Sequence, residues 1–223
     1  VAADGVEAVL AQTDVLVLIH PNNPTGARFP VEQLLAWQES LAGHGGWLVV
    51  DEAFMDATPQ HSLGAHSGRP GLIVLRSLGK FFGLAGARVG FVCAEPSLLA
   101  RLHALLGPWT LNGPARRVAP AALQDRAWQG WARTQLRQAE TRLPTLLARH
   151  GLAPAGGCAL FQWVRTPRAA ALHTALARRG ILIRRFDAPA SLRLGLPGTE
   201  ADWQRLEAVL MDITSVDTAG TAS

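Results

Sequence analysis

Four short apolar runs constrain this chain more than any other feature: VLVLIH (15–20), WLVV (47–50), LIVLRS (72–77) and RVGFVCA (88–94). Each is rich in β-branched residues and too short for a helix, so each predicts a strand buried on both faces. Between the first two lies PVEQLLAWQESLAGHGG, where Leu34, Leu35, Trp37 and Leu41 share a helical face and Gly43 supplies a stop. Strand, helix, strand is a crossover unit that makes the two strands parallel, and this half of the chain reads as α/β. The interval between the second and third runs, with Pro59, Gly64, Gly68 and Pro70, predicts loop with one short helix.

After about residue 95 the pattern changes. PSLLARLHALLG predicts a helix. Residues 115–150 predict a long helical stretch, started or bent at Pro120 and Pro144, with Leu123, Trp128, Leu136, Leu143 and Leu147 facing inward. CALFQWV (158–164), ILIRR (181–185) and SLRLGL (191–196) read as strands, RAAALHTALARRG as a helix, and GTEADWQRLEAVLMDI as a closing helix capped by Thr199 with Asp202 three residues on. The tail TSVDTAGTAS reads as frayed. The expectation is a large α/β domain with a mostly parallel sheet over residues 1–108 and a smaller α+β domain with its long connecting helix over 109–223.

Composition excludes several classes. Hydrophobic residues make up 48% and charged residues 17% of the chain, which fits a packed core and not a disordered segment. The formal charge is +4, and the 21 basic residues are dispersed among 17 acids, so nucleic-acid binding has little support. Cys93 and Cys158 lie far apart with no metal-ligand spacing, and they read as buried thiols of a reducing cytoplasm. No apolar run reaches the roughly 18 residues of a membrane span, and no signal peptide opens the chain. The chain opens at Val1 inside a periodic segment, which raises the expectation of a missing N-terminal portion.

Three polar clusters fall at the C-terminal ends of predicted strands, the edge where open parallel sheets bind ligands. The first is HPNNPTG, where Asn23 reads either as an Asx-turn residue or as an amide aimed at a ligand. The second is DEAF, where Asp51 follows a buried run and needs a cationic partner, either a structural arginine or a ligand, while Glu52 points elsewhere. The third is Ser77, three residues before Lys80. Lys80 is the only lysine, every other basic side chain of the Lys+Arg set being arginine. Lysine can lose its proton and attack a carbonyl, which arginine cannot. A nucleotide loop is excluded because Phe81 follows the lysine and Val74 stands where its first glycine belongs. The hydrolase elbow is absent, and the histidines, His20 included, read as surface or packing residues with no metal site.

In order and spacing, PNNPTG, DEAF and SLGK with Arg88 eight residues on resemble the three signatures of pyridoxal-phosphate enzymes of the aspartate-aminotransferase fold. The resemblance covers essentially the whole chain. It implies that Lys80 carries pyridoxal 5'-phosphate as a Schiff base, Asp51 pairs with the ring nitrogen, Asn23 bonds the ring O3′, and Ser77 and Arg88 hold the phosphate. Phe81 and Phe82 would form an apolar wall that disfavours the lysine's charge. The segments VVDEAFMDATPQHSL, LRSLGKFFGLAGARVGF and GPWTLNGPARRVA are similar to the threonine-phosphate decarboxylases of cobalamin biosynthesis, a branch related to histidinol-phosphate aminotransferases. Phe54 stands where most aminotransferases of the family carry tyrosine, and the chain has no tyrosine. By the same resemblance Arg193 would bind the substrate carboxylate and Arg184, more than Arg185, the substrate phosphate; each otherwise reads as a surface arginine. The alternatives are an aminotransferase acting on histidinol phosphate or a similar amine, and a non-catalytic fragment of the fold. Relatives of this kind carry an N-terminal phosphate loop, a ring-stacking aromatic and an arm to a dimer partner, which this chain lacks. The resemblance therefore implies a homodimer, a small phosphorylated substrate and a truncated chain.

Overall fold

The computed structural model describes residues 3–219. Contacts divide the chain into two compact units, one running to Asn23 and from Ala27 to Trp131, the other comprising Pro24–Gly26 and the residues from Ala132 onward.

In the first unit, α1 (Ala3–Val6) and a 3-10 turn lead into β1 (Val15–Ile19), α2 (Val31–Ala42), β2 (Trp47–Asp51), β3 (Leu72–Ser77) and β4 (Gly90–Cys93). The sheet order is β1-β2-β3-β4. The first three strands are parallel and β4 is antiparallel to β3. The reversal has a simple cause: residues 78–89 turn back without the crossover helix that a parallel neighbour requires. Leu34, Trp37 and Leu41 of α2 pack over Leu48, Val50, Leu72 and Val74. The expected burial on both faces is not found: burial alternates along β2 and β3, and at the sheet edges Val15 is 51%, Val17 64% and Val92 40% exposed. Helix α2 covers one face, so side chains that alternate away from it meet solvent. Between β2 and β3 the chain forms three 3-10 turns, Met55–Ala57, Pro59–His61 and Leu63–His66, where one short helix was expected. The proline and the tight loop there prevent a longer helix from propagating.

Helix α3 (Pro96–Leu106) is followed by α4 (Gly113–Gln124) and α5 (Arg126–Arg149). The long helical stretch expected over 115–150 is therefore two helices. It breaks at Asp125, whose ψ of 77° leaves the helical region and whose Oδ1 accepts the Trp128 N–H at 2.9 Å. Leu143 and Leu147 are buried, but Leu123 is 39% exposed and does not face a core. Trp128 packs against Phe81 and Phe82, with ring centroids 5.4 and 5.8 Å away. That cluster keeps the start of α5 with the first unit, so the contact division falls beyond the 108/109 boundary read from the sequence.

The second unit holds β5 (Gly156–Cys158), β6 (Phe161–Arg165), α6 (Ala169–Arg178), β7 (Arg184–Asp187), β8 (Ala190–Gly195) and α7 (Glu200–Ala219). Its sheet is antiparallel in the order β5-β6-β8-β7. Val164, Leu192 and Leu194 project from one face into a core with Leu143, Leu147, Leu172, Leu176 and Leu210. The expected cap forms: the Asp202 N–H donates to Thr199 Oγ1 at 3.2 Å and the Thr199 N–H to Asp202 Oδ2 at 3.0 Å. Of the tail read as frayed, residues 214–219 continue α7 and 220–223 lie outside the described residues. No described helix is long and apolar enough to cross a membrane.

Candidate active site

The parallel strands bring their C-terminal ends to one edge of the first sheet, with Ile19 opposite Asp51 and Asp51 opposite Leu75. Three of the sequence-derived clusters leave the sheet there. After β1 the loop is closed by the Asn22 N–H donating to Ala27 O at 2.9 Å, and Asn23 is half-buried within it. Gly26 has φ +73°, and a Cβ there would lie 1.9 Å from Gly157 O, so no side chain fits.

Asp51 ends β2, half-buried, and its Oδ1 accepts the Ala53 N–H at 2.9 Å. Of the two partners expected for it, the structural arginine is absent: among the described residues no ion pair involves Asp51, and Arg76 pairs with Glu52 at 3.1 Å and Asp56 at 2.5 Å. Asp51 is left with acceptor capacity and a single backbone donor, as a carboxylate awaiting a cationic ring would be.

Ser77, Gly79, Lys80, Leu84, Arg88 and Val89 line one cavity of about 280 Å³. The Gly79 N–H donates to Ser77 Oγ at 3.0 Å, which shapes the turn carrying Lys80. Arg88 holds φ 55°, the one non-glycine positive φ among the described residues, and donates to Ala85 O at 3.3 Å. A left-handed conformation costs a side chain about 1–2 kcal/mol, and such strain concentrates where a side chain must be aimed. Lys80 Nζ lies 5.3 Å from the Phe54 ring centroid. The aromatic wall beside the amine is thus Phe54. Phe81 and Phe82 instead pack with each other and with Trp128.

The second unit pairs the two substrate-arginine candidates. Arg184 stands directly opposite Arg193 on β7 and β8, and Arg193 lies 5.3 Å over the Phe161 ring. Burial and then the Arg184 charge push the Arg193 guanidinium below its ordinary pKa. Like charges directly opposed across strands repel, and an anion between them relieves the cost. Arg185 points to the other face and pairs with Asp187 at 3.1 Å.

Sequence reasoning missed Arg76 and the full burial of Glu52. Strand alternation carries the signal: Glu52 and Arg76 continue the core-facing series Leu48, Val50 and Leu72, Val74. His20 is completely buried, and neither of its ring nitrogens has a hydrogen-bond partner.

An amine, a hydroxyl and a guanidinium in one cavity, at a strand edge shared with an unpaired carboxylate, form a donor set suited to a phosphorylated aldehyde with a basic ring. A family model described as aminotransferase class I and II matches residues 1–210. The chain belongs to that family. Within it, the chain is 61% identical over 206 residues to a threonine-phosphate decarboxylase of Pseudomonas aeruginosa, covering 92% of this chain and 62% of the relative. It is 43% identical over 202 residues to one from a Sinorhizobium species, covering 90% and 60%. Among solved structures, histidinol-phosphate aminotransferase from Sinorhizobium meliloti in complex with pyridoxal-5'-phosphate superposes with a TM-score of 0.84 at 25% identity, covering 95% of this chain and 61% of that one. The chain spans about three fifths of the length of these relatives.

Proposed function

We propose that this chain is part of a pyridoxal-phosphate-dependent decarboxylase that converts L-threonine O-3-phosphate to aminopropanol phosphate and CO2 in cobalamin biosynthesis, acting as a cytoplasmic homodimer. The observation that carries the reading is the cavity in which the only lysine opens beside Ser77 and Arg88. The likeness to two threonine-phosphate decarboxylases supports the substrate.

When bound, pyridoxal phosphate supplies an aldehyde for attachment and a ring that draws off the electron pair left when a bond to the substrate Cα breaks. Lys80 Nζ would hold the cofactor covalently and could carry a proton at that atom. Ser77 Oγ and the Arg88 fork hold the phosphate; a planar guanidinium suits two phosphate oxygens at once. Asp51 would pair with the ring nitrogen and favour its protonated form, and the Asn23 amide would donate to O3′. Phe54 supplies apolar contact where a tyrosine would supply a hydroxyl. Arg193 holds the substrate carboxylate and Arg184 its phosphate. A guanidinium that grips the substrate carboxylate, the role given to Arg193, would favour loss of CO2 over loss of a proton.

Transamination of histidinol phosphate or a similar amine is the second reading, favoured by the structural likeness to histidinol-phosphate aminotransferase. The test supplies the full chain with pyridoxal phosphate and threonine phosphate. Aminopropanol phosphate and CO2 without a keto acid are expected. Amino transfer that needs a keto acid would establish the second reading, and absence of a borohydride-fixed adduct on Lys80 would overturn both.

A further inference from the structure

We infer that Arg76 is a positioning residue for the Lys80 site, holding the ends of β2 and β3 and the loop bearing Phe54 in one register through Glu52, Asp56 and Ser62. The inference deepens the proposed function and rests on that reading.

Alternation along the two strands separates two sets of side chains. Leu48 and Val50 on β2, then Leu72 and Val74 on β3, enter the core under α2, and Glu52 and Arg76 follow on that side. Asp51 and Ser77 are one residue out of phase and face the other way. The two faces are mechanically linked, because turning either strand end to satisfy one set turns the other. On the core side, Arg76 Nη1 donates to Glu52 Oε2 at 3.1 Å and to Ser62 Oγ at 2.9 Å, while Nη2 donates to Asp56 Oδ1 at 2.5 Å. Glu52 also accepts the Ser62 hydroxyl at 2.5 Å and the Leu63 N–H at 2.6 Å.

One side chain from β3 therefore closes the whole segment 52–63, which begins beside Asp51 and carries the Phe54 ring 5.3 Å from Lys80 Nζ. From Arg76 the chain needs one residue to reach Ser77 and four to reach Lys80. Stability alone is a poor reason for this arrangement. A buried ion pair returns little against apolar residues of the same volume, whereas its loss on one side leaves a stranded charge. Burial pushes the Glu52 carboxyl above its ordinary range, opposed by Ser62, the Leu63 N–H and Arg76. What the network secures is geometry, and the geometry it secures is that of Asp51, Phe54, Ser77 and Lys80.

The test compares the full chain with Glu52→Gln, Arg76→Lys and Arg76→Met. Glu52→Gln keeps the volume and removes the charge that orients Arg76, so it remains informative even where Arg76→Met does not fold. In cofactor-free protein, amide exchange at residues 53–58 and 78–84 is expected to rise about tenfold in Glu52→Gln, with the α2 amides unchanged. In loaded protein, the pH midpoint of the cofactor's visible absorbance should move, and kcat should fall about tenfold with KM within about threefold, with partial recovery in Arg76→Lys. A folded Glu52→Gln protein with wild-type exchange at 78–84 and an unmoved absorbance midpoint would overturn the inference. A wild-type chain that takes no cofactor on Lys80 would instead sink the proposed function, and the exchange of cofactor-free protein would still report on Arg76.

Discussion

Acidification should destabilise the first unit through His20, and the size of the effect follows from its surroundings. The ring is completely buried at the end of β1, about 6.4 Å from Phe29, with no well-formed hydrogen bond to either nitrogen and only a weak contact with the His61 backbone, which opposes the downward shift. Burial first, and then the Arg28 charge, lower its pKa from 6.5 to about 4. In the unfolded chain the imidazole takes a proton near 6.5, while in the fold it stays neutral until about pH 4. The unfolded state therefore binds more protons in that window. Stability is fully present above pH 6.5, falls as the pH drops through the window, and stops falling from this cause below about 4. At about 1.36 kcal/mol per pH decade, the loss amounts to about 3 kcal/mol. The assay is urea unfolding of the wild type and His20→Leu at intervals from pH 7 to 4. The variant should match the wild type within about 1 kcal/mol at pH 7, because it strands no polar atom, and should surpass it by about 3 kcal/mol near pH 4. Carboxylates titrate in both proteins, so the difference between the two curves isolates the imidazole. Parallel curves from pH 6.5 to 4.5 would refute the reasoning.

Three further outcomes are expected. Lys80→Arg should keep the fold and yield no borohydride-stable cofactor adduct, with turnover down by at least about 10³-fold, as read by peptide mass and product assay. Arg193→Gln should raise KM for the phosphorylated substrate or lower kcat/KM by roughly 10- to 100-fold, the worth of a charged hydrogen bond, measured by steady-state kinetics. Gly26→Ala should destabilise the second unit by roughly 2–4 kcal/mol in a urea titration, because the new methyl group meets the Gly157 carbonyl and the backbone there has positive φ.

The apolar runs made the strands readable because buried parallel strands leave a strong compositional signature, and α2 was readable from Leu34, Trp37 and Leu41. The reversal of β4 was not, since direction depends on where the connection 78–89 can travel. Leu123 was misread as inward because an Asp125 cap ends α4 and resets the helical phase after it. The cavity set Ser77, Lys80 and Arg88 was legible from spacing along one strand and its turn. For Asp51 the sequence left open an arginine or a ligand as partner; the arginine at the neighbouring strand's end went to Glu52 and Asp56 instead.

Residue order alone showed one amine among arginines, set just past a strand end with a guanidinium eight residues later. Local spacing suffices for that, because strand parity and short turns confine neighbours along the chain. Which groups are already spoken for depended on packing. Arg76 could have met Asp51 or Glu52, and the choice was made by the face each strand buries under α2, a long-range contact that no window of sequence contains.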